Sequence, residues 1–205
     1  MILTRIDLSM GSPAIRRALG DCQQLHRLVT GLFGTDRSGG KLLYRLEDRQ
    51  GRPSLYLYSA VPLRRDRLIG GMALAGERDV TDWLEHLEQG QLWGFDLLAA
   101  PMKKVASEGS RNSRRRVLRT QEERMSWLLR KAEQNGFELV NVRELEQGHL
   151  YGSHRDEQGG RMVLDSYHYQ GVLRILEPEQ FRQAVENGVG SGRAYGLGML
   201  LLKAV

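Results

Sequence analysis

Three groups of residues in this sequence carry types and spacings suited to chemistry. The first is His26, inside a stretch where Leu25, Leu28, Val29, Leu32 and Phe33 recur at the i, i+3, i+4, i+7, i+8 spacing of an amphipathic helix. Imidazole titrates near neutral pH, so it can take a proton as a general base or give one as a general acid. One residue is about 100° of helical rotation, which puts His26 on the flank of the apolar stripe rather than within it. A solvated surface histidine and a proton-transfer group both fit that position. The second group is the segment GVGSGRAYGLGMLLLKAV, residues 188–205, with Gly188, Gly190, Gly192, Gly196 and Gly198 around Arg193. Glycine admits positive φ and close backbone approach, and arginine offers a fixed charge and a forked donor. The segment reads either as a phosphate cradle or as a tight helix-to-strand connection with no ligand.

The third group is the most basic stretch of the chain: Lys103, Lys104, Arg111, Arg114, Arg115, Arg116 and Arg119, interleaved with Gly and Ser. It is expected to form a strand, a tip and a return strand. It is either a solvated charged hairpin or a clamp on backbone phosphates, and arginines spaced through a short polar tip favour the clamp. Elsewhere the chemistry is sparse. His86, His149, His154 and His168 lack metal-ligand spacing, and Asp96 and Asp165 read as isolated carboxylates. No Ser/His/Asp arrangement, P-loop or H-E-x-x-H motif is present. One cysteine, Cys22, excludes an internal disulfide and a cysteine-based zinc site. Neither a metal nor a small-molecule cofactor is expected.

The chain has 205 residues, 40% hydrophobic and 27% charged, which suits one large globular domain or two small ones. Net charge is +5 and the pI about 9.5, with arginine far outnumbering lysine. That balance favours a polyanionic partner without choosing between RNA, DNA and an acidic protein. No apolar run is long enough to cross a bilayer, and the N-terminus lacks the apolar core of a signal peptide, so the expected location is the cytoplasm.

The elements that must position these groups read as follows. A strand alternates over residues 2–8, Asp21 caps the helix with Gln24 three residues on, and strands follow at residues 41–47 and 55–60. A short helix spans residues 80–87 and a strand residues 93–99. After the basic stretch, Thr120 and Glu123 open a second helix. A strand follows at residues 137–142 and a polar loop at residues 144–160. Strands then run over residues 162–169 and 172–176. A helix begins at Pro178 and a last strand covers residues 197–204. Each half is thus β-α-β-β-α-β, and the fold class is α+β: two tandem ferredoxin-like domains, residues 1–100 and 101–205, joined near Ala100-Pro101. One larger α+β domain is the alternative. The aromatic signature for stacking bases on an open sheet is absent.

Several of these stretches together resemble a known family. The opening strand, Gln24-Leu25-His26-Arg27 on the first helix, LLYRLE at residues 42–47, the strand leading into Pro101 and the terminal GVGSGRAYGLGMLLL are similar to the CasE-type CRISPR endoribonucleases of type I-E systems. The resemblance covers nearly the whole chain in order. It implies two ferredoxin-like domains that bind the hairpin of CRISPR repeat RNA, cut it at the 3′ base of the stem without metal, and stay bound among other Cascade subunits. It also implies that His26 is the catalytic histidine, followed by Arg27, and that the five glycines form the family's glycine-rich loop. Arg161 falls roughly where some relatives carry a catalytic-site lysine. One departure stands out: several members have a tyrosine three residues before the histidine, and here that residue is Gln23. The implied reaction is attack by the RNA's own 2′-hydroxyl, leaving a 2′,3′-cyclic phosphate. Residues 103–119 would then grip an A-form stem by shape and phosphate. A non-catalytic RNA-binding subunit is the alternative.

Overall fold

The computed structural model describes residues 1–105, 114–153 and 161–205, with the backbone alone at residues 114, 115 and 161. In β1 (Ile2–Leu8), Thr4, Ile6 and Leu8 point one way into a core, while Arg5 and Asp7 point the other. α1 (Pro13–Leu19) follows, with Pro at its first turn and Ile15 and Ala18 buried. It is too short to show a helical period, and the sequence reading passes over it. Then come α2 (Cys22–Phe33), β2 (Leu43–Asp48) and β3 (Pro53–Ser59). After β3 there is a 3-10 turn, Arg65–Arg67, and then β4 (Met72–Asp79), a strand the sequence reading passes over. β4 is an edge strand with one neighbour, β1, and mostly exposed residues, so it carries little apolar signal.

The helix expected at residues 80–87 is α3 (Thr81–Glu85), which comes after that strand. The next strand, β5 (Leu92–Ala99), pairs with β9 and β10 further along the chain and not with β1. β6 (Met102–Val105) and β7 (Arg114–Val117) form an antiparallel ribbon. α4 (Gln121–Gln134) starts at the Thr120 cap, whose side chain accepts from the Glu123 N–H at 3.2 Å. β8 (Phe137–Ser153), β9 (Arg161–Ile175), α5 (Pro178–Asn187) and β10 (Leu200–Ala204) complete the chain. The first sheet is ordered β2-β3-β1-β4 and the second β10-β5-β9-β8. Counted within each sheet, both have the ferredoxin-like order. A boundary drawn by sheet membership falls between β4 and β5. Residues 92–99 therefore lie on the other side of it from where a division at Ala100-Pro101 puts them.

Residues 144–153, expected as loop, continue β8 as one arm of a long hairpin with β9, with register shifts at Leu139/Asn141 and Glu144/Gln147. Its alternation is hard to see because the arm is largely solvated and carries few apolar residues. Leu43 and Tyr58 of the first sheet belong to the core of the second, together with Phe95, Leu97, Phe137 and Leu173. The two sheets are therefore joined by apolar packing. They are also joined by a polar cluster: Arg45 of β2, whose side chain is 3% exposed, meets Asp96 of β5, and Asp96 accepts from His168 at 2.8 Å and from Gln170. Asp96 is thus not isolated. Along β5 it alternates with Phe95 and Leu97, which face the core, so its side chain takes the face where Arg45 lies. Asp165 is likewise bonded to His149 Nδ1, at 2.8 Å.

Candidate active site and anion-binding surface

α2 is fixed at both ends. Asp21 Oδ1 accepts from the backbone N–H groups of Gln23 and Gln24 at 2.8 and 3.1 Å, satisfying donors that a helix start leaves open. Its Oδ2 accepts from the Ser153 N–H at 3.0 Å and the Ser153 hydroxyl at 2.6 Å. Burial opposes ionisation of Asp21, but the hydrogen bonds from Ser153, Gln24 and Gln23 outweigh it and hold the carboxyl below its usual range. The far end of the β8–β9 hairpin is therefore tied to the first turn of α2. The Arg161 backbone, paired with Ser153, comes with it. At the other end, Gly34 adopts φ 67° and closes the helix.

His26, one turn into α2, is half-buried. Its ring meets Tyr195 edge-on, with centroids 6.2 Å apart. Burial lowers the imidazole pKa below 6.5, the positive charge of Arg37 lowers it further, and Arg27 adds to that. The Ala194 carbonyl facing the ring pulls the other way. Nδ1 is enclosed without a partner at hydrogen-bonding geometry among the described residues. The lowering favours the unprotonated ring, the form that can accept a proton.

Ala194 and Tyr195 belong to a 3-10 turn, Arg193–Tyr195, bracketed by Gly192 at φ 78° and Gly196 at φ 82°. A Cβ on Gly196 would lie 3.0 Å from the Tyr44 ring, and one on Gly192 2.8 Å from Leu197. Those glycines are needed for packing first, as a tight connection requires. The packing in turn places the turn against α2: Tyr44 OH donates to the Ala194 carbonyl at 2.9 Å, and Gln23 Nε2 donates to Tyr195 OH at 3.1 Å.

Beside the turn is a cavity of about 650 Å³ lined by Arg37, Lys103, Lys104, Arg130, Lys131 and Arg193 together with Gly190 and Gly192. Burial lowers the pKa of Lys131, and the charges of Arg130 and Arg193 lower it further. Burial also lowers that of Arg37, as does Arg193, against the opposing pull of Asp36. In the ribbon, backbone register sets Lys103 opposite Arg116 and Lys104 opposite Arg115. Cations crowded this way are relieved by an anion. Arg37 also lines the opening at His26, next to Arg27, so the cationic surface reaches the imidazole.

Of the residues singled out in the sequence, His26, Arg27, Gly190, Gly192, Arg193, Lys103 and Lys104 line this opening or the adjoining cavity. The Arg116 guanidinium is paired with Glu123 at 2.6 Å, and Arg119 is exposed near the start of α4. Arg111 lies outside the described residues, as do the side chains of Arg114, Arg115 and Arg161. Sequence reasoning missed Arg37, Arg130, Lys131 and Tyr195. Arg130 and Lys131 look like an ordinary solvated helix face. Arg37 sits in a turn with no periodicity, and Tyr195 is 172 residues from its partner Gln23. Among the described residues no group of three or more His, Cys, Asp or Glu side chains is arranged to hold a metal ion. Nor is any helix there long and apolar enough to cross a membrane.

A family model described as CRISPR associated protein matches residues 1–204. The chain is similar to the CRISPR-associated endoribonuclease Cse3 of Thermus thermophilus, 29% identical over 212 residues that cover 98% of each sequence. Among solved structures it is similar to the CRISPR endoribonuclease Cse3 bound to a 19-nucleotide RNA, with TM-score 0.86 and 27% identity over 99% of this chain and 100% of that one. It is also similar to Thermus thermophilus Cse3 bound to an RNA representing a pre-cleavage complex, with TM-score 0.83 and 25% identity over 99% and 100% of the two chains.

Proposed function

Because this chain belongs to the CRISPR-associated protein family, matched along residues 1–204, we propose that it is an endoribonuclease that binds the stem-loop of CRISPR repeat RNA and cuts it to give guide RNA. On this reading it works in the cytoplasm and stays with the product among other Cascade subunits. The observation that carries the reading is the half-buried imidazole of His26, its pKa lowered by burial and by Arg37, set where the cation-lined surface meets the glycine turn.

RNA carries its own nucleophile. The 2′-hydroxyl attacks the adjacent phosphorus, the bond to the 5′ oxygen breaks, and the products are a 2′,3′-cyclic phosphate and a 5′-hydroxyl. The protein must hold the linkage in line, move protons and stabilise charge on the phosphorane. His26 takes the proton of the 2′-hydroxyl. Arg27 and Arg161 stabilise the phosphorane, and Arg37 lies where it can share that role. Lys103, Lys104, Arg111, Arg114, Arg115, Arg116, Arg119 and Arg193, with the backbone of Gly190 and Gly192, hold stem phosphates. Grip by phosphate and shape suits duplex RNA, whose major groove is too narrow to read.

The test uses repeat hairpin RNA with a single 2′-deoxy sugar at the cut position. That RNA should bind and stay intact, while the all-ribose hairpin is cut in the presence of chelator and yields a cyclic phosphate end. Cutting of the deoxy substrate, or loss of cutting in chelator, contradicts the scheme. Binding without cutting of either RNA would make the chain a binding subunit.

A further inference from the structure

We propose that Tyr195 is the proton donor to the departing 5′ oxygen, and that Gln23 positions it. The inference rests on the endoribonuclease reading above. If His26 removes the 2′ proton, a different group must protonate the leaving oxygen. The cations around the imidazole, Arg27 and Arg37, are guanidiniums and do not release protons. Tyr195 brings a phenolic O–H to the same place. Its ring stands edge-on to His26 with centroids 6.2 Å apart. Its oxygen accepts the hydrogen bond from Gln23 Nε2 at 3.1 Å, and accepting leaves the phenolic proton available to donate.

Two further features fix that hydroxyl. Gln23 and His26 are three residues apart on α2 and so share one face of it. The amide therefore holds the phenol on the side of the helix that carries the imidazole. Tyr195 itself sits in the turn locked by Gly192, Gly196 and the bond from Tyr44 to the Ala194 carbonyl.

The step balances. The 2′ oxygen forms its bond to phosphorus and gives its proton to His26. The bond from phosphorus to the 5′ oxygen breaks, and that oxygen takes the Tyr195 proton. An alkoxide is more basic than a phenoxide, so this transfer runs downhill. The imidazolium then returns its proton to the phenoxide, directly or through water. The net result is one proton moved from the 2′ to the 5′ oxygen, with both side chains reset.

The experiment compares single-turnover cleavage of the hairpin RNA with that of the same RNA bearing sulfur in place of the bridging 5′ oxygen. A thiolate leaves without a proton. With Tyr195→Phe, cutting of the oxygen substrate should fall on the order of 100-fold, whereas the sulfur substrate should be cut within about threefold of the wild-type rate. Gln23→Ala, which leaves the phenol in place but unheld, should show a smaller loss with the same preference for the sulfur substrate. Equal losses on both substrates, or no loss with Tyr195→Phe, overturn the assignment while leaving the endoribonuclease reading intact. A wild-type protein that cuts neither substrate removes both. Tyr195→Phe keeps the ring that packs on His26, and hairpin binding by the variant confirms that the fold is kept.

Discussion

His26 owes its chemistry to its neighbours. Burial and the Arg37 and Arg27 charges lower its pKa below 6.5. A base works in its unprotonated form, so kcat/KM should rise with pH through the free-protein value and then level off, with the limb lying below that of an ordinary imidazole. Arg37→Ala removes one lowering influence, so the acid limb should move to higher pH. An acid limb unmoved by that substitution would show that Arg37 does not act on the imidazole. At this scale the sequence was legible only in part. His26 stands out because a helical stripe gives it an address. Tyr195 reaches the site through a contact distant in sequence, Arg37 sits in a turn without a period, and no local spacing marks either. Nor does any local pattern reveal that Asp96 has partners in Arg45, His168 and Gln170.

At the scale of elements, α2 and the glycine turn act as one unit, joined by Gln23 to Tyr195 and by Tyr44 to Ala194. Gly196 is where that unit is most constrained, since its φ of 82° and its 3.0 Å clearance to the Tyr44 ring both resist a side chain. Gly196→Ala should lower unfolding free energy by about 1–3 kcal/mol. In urea titration this appears as a lower midpoint at constant slope. It should also slow cutting more than it weakens hairpin binding, because it displaces Tyr195. A midpoint equal to wild type would mean the turn tolerates a side chain. The caps of α2 and α4 were readable from Asp21 and Thr120, because capping chemistry is local. The arm of β8 beyond residue 143, the edge strand β4 and the short α1 were not. Each is too solvated or too short for burial to write a period into the sequence.

For the whole molecule, the sequence pointed to two ferredoxin-like units while misassigning strands in each: β4 was not read, β5 was counted in the first half, and the strands of the basic stretch form a separate ribbon. The sheet that claims β5 was not readable, because pairing partners are chosen in three dimensions. The junction between the sheets has its own pH signature. Burial disfavours the charged form of Asp96, but the His168 hydrogen bond, the Arg45 charge and Gln170 outweigh it and bring its pKa from 3.8 down to about 2. A carboxyl lowered on folding stabilises the fold above its unfolded value and loses that contribution as pH falls through the folded one. Thermal stability should therefore drop between about pH 4 and pH 2 partly through this group. In Asp96→Asn, Tm should be lower at neutral pH, and the gap to wild type should narrow across that window. A gap that stays constant with pH would rule out this role for the carboxylate.

The proposed reaction depends most on the imidazole of α2, and one comparison addresses it directly: single-turnover cleavage of repeat hairpin RNA by wild type and by His26→Ala, with both proteins saturating the RNA. The expected result is hairpin affinity within about twofold of wild type and a cleavage rate lower by at least about 100-fold. Equal cleavage rates at equal occupancy would contradict it and leave His26 a surface histidine.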